Sequence, residues 1–265
     1  MSQPTEQQPI KLHFSDNGQG EPIVLLHGFL GSSAYWDEVI PLLSRHYRCI
    51  VPDLRGHGHS PVSTDPYTIE DMAADVVTLL DELDLKQVTL LGHSMGGYVT
   101  LALVDQYPSY IKSWGLVHST AYEDTEEAKQ KRLNTITQIR TRGMIDFVDG
   151  FAEGLFAPHL VYKLPDSILK VKEIGYITSP EGGCGAAAAM RERPERLSII
   201  QNANVPVLLV AGEYDPIAPP DRMFVADSTR ITTAVIPDIA HMSMMEAPEQ
   251  LVNIIHDFMQ NQLKD

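Results

Sequence analysis

The sequence predicts an α/β fold: a mostly parallel sheet with helices on both faces and a helical segment inserted between two of its strands. Three observations carry this. Short unbroken apolar runs, such as residues 22–26 (PIVLL) and 88–91 (VTLL), have the pattern of strands buried on both sides. These runs alternate with stretches whose apolar residues recur at helical spacing, as in a parallel sheet with helical crossovers. One strand-to-helix junction, Gly92-His93-Ser94-Met95-Gly96, reads G-x-S-x-G.

In chain order, residues 10–14 read as a short edge strand and residues 16–20 as turn chemistry. The buried strand 22–26 ends in His27-Gly28-Phe29-Leu30-Gly31. Ser33 is placed to cap a helix running to Leu43, with Trp36, Val39, Ile40 and Leu43 on one face. Residues 47–52 form the next strand, leading into the polar, glycine-punctuated loop from Asp53 to Ser60. Thr68 with Asp71 three residues on opens a helix carrying Met72, Val76, Leu79, Leu80 and Leu83 at helical spacing. The strand 88–91, its tight turn and a helix over 98–107 follow, then a strand over 111–117 ending at His118-Ser119.

From about Ala121 to Ile200 the alternation stops. Residues 123–142 are densely charged and helical in character, and 144–156 carry Met144, Phe147, Val148, Phe151 and Leu155 on one stripe. Residues 167–177 and 185–193 read as further helices. Strands return at 206–211 and 231–236, and an amphipathic helix over 248–263 closes the chain. The division expected is a core formed by residues 1–120 and 201–265, with residues 121–200 as a helical cap.

Composition narrows the function. With 265 residues and 43% hydrophobic content the chain can bury one large core. A net charge of −15 argues against a nucleic-acid or anionic-membrane partner. Residues 1–9 are polar, without the apolar stretch of a secretory signal, and are expected to be loose. No apolar run is long enough for a bilayer, so a soluble cytoplasmic protein is expected. The only two cysteines, Cys49 and Cys184, form neither a disulfide framework nor a metal spacing. Cys49 lies in an apolar run and reads as a small buried hydrophobe.

The chemistry centres on Ser94. In a G-x-S-x-G turn the serine sits in strained backbone between strand and helix, and Gly92 and Gly96 avoid the clashes this causes. The ordinary alternative is a glycine-rich connector, but a hydroxyl held alone at a sheet edge and at a helix N-terminus is suited to nucleophilic attack. It needs a base, and the base an orienting acid. Asp215 follows the strand 206–211, and His241 follows the last strand, so the chain order is nucleophile, acid, base. Asp238 shares the His241 loop, and Glu213 lies nearer its strand; Asp215 is preferred to both. Among ten histidines, His241 stands out by its position, while His46 and His256 read as surface residues and His57 and His59 as loop residues. The backbone N–H groups of Met95 and Phe29 are the expected oxyanion donors, with Gly28 letting that loop turn. His118 is either a pocket residue or a core histidine bonded to backbone. Phe147 and Phe151 are candidate pocket residues, though aromatics on such a stripe also serve packing. Arg55, Arg191 and Arg193 are candidates for a substrate carboxylate or, more plainly, ion-paired side chains.

Together these residues resemble the α/β-hydrolase superfamily over essentially the whole chain. The resemblance rests on L-L-H-G-F at 25–29, D-L-R-G-H-G-H-S at 53–60, G-H-S-M-G-G at 92–97, G-E-Y-D-P at 212–216 and A-H-M at 240–242. It implies about eight strands with a helical cap inserted after the sixth. Within the superfamily the chain is similar to small bacterial esterases, lactonases and meta-cleavage-product hydrolases. Epoxide hydrolases and haloalkane dehalogenases place an aspartate at the elbow, where this chain has Ser94. The implied activity is cleavage of a small carboxylic ester through an acyl-enzyme. Alternatives on the same groups are C–C bond hydrolysis, lactone opening or a lyase reaction, and a further one is a non-catalytic ligand-binding receptor. No cofactor is expected, since the glycines at 92–97 do not make a G-x-G-x-x-G turn, and no metal spacing is present.

Overall fold

The computed structural model describes residues 8–63 and 65–261. Most of the N-terminal stretch expected to be loose, and the end of the closing helix at 262–263, lie outside these residues. Seven strands form one sheet in the order β1-β3-β2-β4-β5-β6-β7. They are β1 (Phe14–Asn17), β2 (Glu21–Leu26), β3 (Tyr47–Pro52), β4 (Val88–His93), β5 (Ile111–Val117), β6 (Val207–Gly212) and β7 (Ile231–Ile236). All neighbours are parallel except β1, which runs antiparallel to β3 with Phe14 opposite Pro52 and Asn17 opposite Cys49.

The edge strand expected at 10–14 is displaced. The Ile10 N–H donates to Asp75 Oδ1 at 2.7 Å and the His13 N–H to Ser60 Oγ at 2.9 Å. Side chains thus take the backbone groups a neighbouring strand would have used, and pairing begins only at Phe14. The expected edge strand is therefore β1, shifted along the chain, and among the described residues the sheet has seven strands where the resemblance implies about eight.

The helix expected from Ser33 to Leu43 is also divided. A 3-10 turn, Ser33–Trp36, precedes a short α1 (Ile40–Leu43), with Pro41 in the first turn of α1, where its missing N–H costs nothing. The capping side chain is Ser32, which accepts from the Ala34 N–H at 3.2 Å. The Ser33 N–H instead donates to Asp53 Oδ1 at 2.7 Å, joining this turn to the loop after β3.

The α2 helix (Ile69–Glu82) starts in a full capping box. Thr68 Oγ1 accepts the Asp71 N–H at 3.1 Å, and Asp71 Oδ2 accepts the Thr68 N–H at 2.8 Å. The α3 helix (Met95–Gln106) begins directly after Ser94, three residues before the apolar pattern at Tyr98. Between β5 and β6 the chain forms α4 (Glu126–Arg142), α5 (Met144–Phe151), α6 (Pro165–Ile177), α7 (Pro180–Glu192) and α8 (Leu197–Gln201). After β6 come α9 (Pro220–Met223), α10 (Ser243–Glu246) and α11 (Pro248–Asn261). At four or five residues, α8, α9 and α10 are too short to show helical periodicity in the sequence.

Alternation along the strands divides the core between the two faces of the sheet. Val24, Leu26, Leu90 and Leu116 pack with Val76 and Leu80 of α2 and Val99 and Leu103 of α3. Ile23, Leu25, Leu91 and Val210 pack with Leu43 of α1 and Leu251, Ile255 and Phe258 of α11. Cys49 is fully buried in this second layer, and burial pushes its thiol up to about 12. Among the described residues no helix is long and apolar enough to cross a membrane.

Candidate active site

β4 ends at His93 and α3 starts at Met95, leaving Ser94 alone in the turn with φ 51°. Two contacts from the neighbouring strand hold it in this unfavourable region. The Ser94 N–H donates to Val117 O at 3.0 Å, and Ser119 Oγ donates to Ser94 O at 2.7 Å. The glycines have a steric role. A Cβ on Gly92 would lie 2.2 Å from Gly96 O, and one on Gly96 would lie 2.6 Å from Leu26 O. Gly92→Ala is therefore expected to destabilise the protein by about 2–4 kcal/mol, read by chemical denaturation. A loss under about 1 kcal/mol would contradict this packing.

Of the four other described non-glycine residues with positive φ, Asp84 follows α2 and three stand beyond strands: Leu30 after β2, His118 after β5 and Asp238 after β7. Backbone strain thus concentrates on the edge where the strands end, the edge at which ligands bind in parallel sheets.

Asp215, in the turn after β6, is buried and fully engaged. Its Oδ1 accepts the N–H groups of Ile217 at 2.8 Å and Ala218 at 3.0 Å. Its Oδ2 accepts Nδ1–H of His241 at 2.8 Å and of His118 at 3.0 Å. Burial pushes the carboxyl up, but the charge interaction with His241 and the hydrogen bonds from both histidines outweigh it. Asp215 is held well below the usual carboxylate range.

The loop carrying His241 is fixed from three sides. Its own N–H donates to Leu155 O at 3.0 Å, and its carbonyl accepts Nε2–H of His93 at 3.0 Å. Glu246 accepts the N–H of Ala240 at 3.2 Å and of Met242 at 2.9 Å, and also that of Ala157 at 2.8 Å. One carboxylate therefore clamps both flanks of His241 and ties them to the segment after α5. Neither Glu246 nor His93 stands out in the sequence as a positioning group, because the contacts span the loop and the inserted helices.

The His118 ring neither bonds backbone nor lines the cavity; it is fully buried against Asp215. Burial lowers its pKa, with the Asp215 bond opposing. Its Nε2 has no hydrogen-bond partner among the described residues. Of the rival acids, Glu213 is engaged elsewhere, its Oε2 accepting the Asp238 N–H at 3.0 Å, and neither carboxylate bonds to His241. His57 is a loop residue, but a buried one, and burial drives its pKa down to about 3.

The loop after β2 is anchored by His27, whose Nε2 accepts the Leu54 N–H at 2.8 Å while Nδ1–H donates to Gly28 O at 2.8 Å. Burial lowers its pKa, and the acceptor role of Nε2 requires the neutral ring. A Cβ on Gly28 would meet His93 Nδ1 at 2.8 Å and Ser94 Cβ at 3.1 Å, so its role is close approach to the elbow. The Phe29 N–H makes no hydrogen bond to a described residue, and Met95 opens α3, where backbone N–H groups lack intrahelical acceptors.

Ser94 and His241 line one cavity of about 60 Å³. Its wall includes Phe29, Tyr98, Phe151 and Leu155. Of the four pocket candidates only Phe151 lies on this wall. Phe147 stacks on Phe151 with ring centroids 5.7 Å apart, while Gly28 and His118 occupy the positions given above. The three arginines considered from sequence are ion-paired: Arg55 with Asp75, Arg191 with Glu192 and Arg193 with Asp124. Arg132 of α4, unremarkable within its charged helix, does reach the wall.

Two sets of metal-ligand side chains converge that sequence spacing does not reveal. One is His118, Asp215 and His241; the other is His13, Asp53 and His59, and within each set the ligand atoms lie within 4.8 Å of one another.

A family model described as alpha/beta hydrolase fold matches residues 21–248. The chain is 27% identical to 3-oxoadipate enol-lactonase 2 of Acinetobacter baylyi over 245 residues, covering 91% of this chain and 90% of the relative. A thermophilic esterase from Thermogutta terrifontis, solved with malate bound, is 32% identical and superposes with a TM-score of 0.91, covering 96% of this chain and 94% of that one. The enol-lactonase from Burkholderia xenovorans LB400 is 25% identical with a TM-score of 0.86, covering 94% and 96%.

Proposed function

We propose, from the premise that this chain belongs to the α/β-hydrolase family, that it is a serine hydrolase cleaving a small carboxylic ester through Ser94, His241 and Asp215. The observation that carries this is the 2.8 Å bond from His241 Nδ1 to Asp215, behind a cavity whose wall holds both Ser94 and His241. Held by that bond, His241 presents an unprotonated Nε2. It takes the Ser94 proton as Oγ attacks the ester carbonyl, and the imidazolium formed is stabilised by ionised Asp215. The oxyanion accepts hydrogen bonds from the N–H groups of Phe29 and Met95. Collapse expels the alcohol, which receives the proton from His241. Water activated by His241 then attacks the acyl-enzyme, releasing the acid and restoring Ser94.

In this reading residues 121–200 form a cap over a core of residues 1–120 and 201–265. The Leu155 and Ala157 contacts couple the cap to the catalytic loop. Lactone opening is the second reading, favoured by the two enol-lactonases to which the chain is similar; it uses the same groups, with the alcohol retained in the product.

The size of the cavity supplies a test. About 60 Å³ is room for a few waters and favours a short acyl group over a long one. Across p-nitrophenyl esters, kcat/KM is expected to fall by about tenfold or more between acetate and octanoate, each lost contact or added strain of about 1.4 kcal/mol giving tenfold. A value rising with chain length would count against this site. Adding lactones and dienoic diketones to the series separates ester, lactone and C–C cleavage. Tight ligand binding without turnover would instead point to a receptor.

A further inference from the structure

Resting on the hydrolase reading above, we infer that the substrate carries a carboxylate a few bonds from the scissile carbonyl and that Arg132 receives it. The side chain of Arg132 stands on the cavity wall with Ser94 and is 25% exposed, so it meets solvent at the mouth. Its Nε donates to Asp124 Oδ2 at 3.0 Å, while its two Nη groups bond to no described residue.

The ordinary explanation, a one-to-one ion pair, fails on counting. Asp124 Oδ1 is already taken by Arg193 Nη1 at 2.6 Å. Arg193 is itself buried, donating also to Met190 O at 2.6 Å and Tyr122 O at 3.0 Å. Two guanidinium groups share one carboxylate, so within this trio one positive charge is in excess. With Arg193 enclosed, that excess is presented by Arg132.

The surroundings sharpen the choice of ligand. Phe29, Phe151, Leu155 and Ile217 make the neighbouring wall apolar, where an unbalanced charge acts more strongly than in water. A second donor is at hand, because Tyr98 also lines the cavity and its hydroxyl makes no hydrogen bond to a described residue. The Arg193 guanidinium lies 3.8 Å over the Tyr98 ring, and a cation there makes the phenol a better donor. A neutral ester leaves Arg132 and Tyr98 unused; a carboxylate engages both, and the guanidinium fork matches it in a bidentate manner. The chain as a whole, at net −15, repels anions, so an anionic substrate needs a local positive group of this kind. The cavity's small volume limits the separation between carbonyl and carboxylate. The class is a half-ester of a short dicarboxylic acid, or a lactone with a short acidic side chain.

The test compares monoethyl succinate with ethyl 4-methylpentanoate, which replaces the carboxylate by an isopropyl group of the same shape. The wild type is expected to favour the charged ester in kcat/KM by about tenfold or more. In Arg132→Met the charged-to-neutral ratio is expected to drop by about 10- to 100-fold, and Arg132→Lys should keep part of it. Free succinate should compete with the neutral ester in the wild type, and this readout stands even if the methionine variant does not fold. A wild-type ratio near one, a ratio unchanged in Arg132→Met, or no competition by succinate would each overturn the assignment to Arg132 while leaving the hydrolase reading intact. Failure of the wild type on both esters, with Ser94 unlabelled by a fluorophosphonate, would remove the hydrolase reading and this one with it.

Discussion

Replacing Ser94 by alanine is expected to reduce ester turnover by a factor of about 10⁴–10⁶ while leaving the fold in place. Two features make the variant a clean test. The Ser94 Oγ donates to no described residue, so its removal breaks no structural hydrogen bond, and the contacts that hold the turn run through the Ser94 backbone to Val117 and Ser119. Alanine at φ 51° meets the same backbone strain that serine already bears. The unfolding free energy should therefore stay within about 1 kcal/mol of wild type. A fluorophosphonate should label the wild type at Ser94 and leave the variant unlabelled. Undiminished turnover by Ser94→Ala would falsify the nucleophile assignment, whatever else the cavity binds.

Why Ser94 could be singled out from sequence, while much around it could not, follows from the range of the interactions. The elbow is local: a strand, two glycines whose Cβ atoms would strike backbone, and a helix within one short stretch, all read directly from residue type. Strands 47–52, 111–117 and 231–236 are legible for the same reason, being short runs rich in apolar and β-branched residues, and the structure has strands over those ranges. Errors arise where distant side chains decide a local outcome. Asp75 and Ser60 take the N–H groups of Ile10 and His13, and the expected edge strand does not form there. Asp53 takes the Ser33 N–H, and the cap shifts to Ser32. Around the site the same rule holds. Asp238 shares the short loop of His241, which favours Asp215 on a separate strand end, but nothing local to His118 reveals that it turns inward to Asp215. Glu246 and Arg132 sit in stretches with ordinary alternative roles, and only the folded chain brings one to the His241 loop and the other to the cavity wall.

Asp215→Asn is expected to lower kcat by about 10³–10⁴ at neutral pH and to cost about 3–5 kcal/mol of stability, for one shared reason. Each carboxylate oxygen now accepts two N–H groups, and an asparagine can offer an oxygen to only one pair. The Ile217 and Ala218 N–H groups are fixed backbone donors, so the amide oxygen turns to them. The amide NH₂ then faces Nδ1 of His118 and His241, and both rings must move their proton to Nε2. On His241 that proton occupies the position which should accept the one from Ser94. On His118 it sits in a buried place without a partner among the described residues. The pH dependence separates this from simple loss of packing. Asp215 is held below its unfolded value, so its contribution is full above the unfolded carboxylate pKa of about 4 and is lost as pH falls. The stability gap between wild type and Asp215→Asn should therefore narrow from pH 7 to pH 3, measured by denaturant unfolding at each pH. A gap of constant size would mean that shape, rather than the charge shared by two histidines, holds this end of the site together.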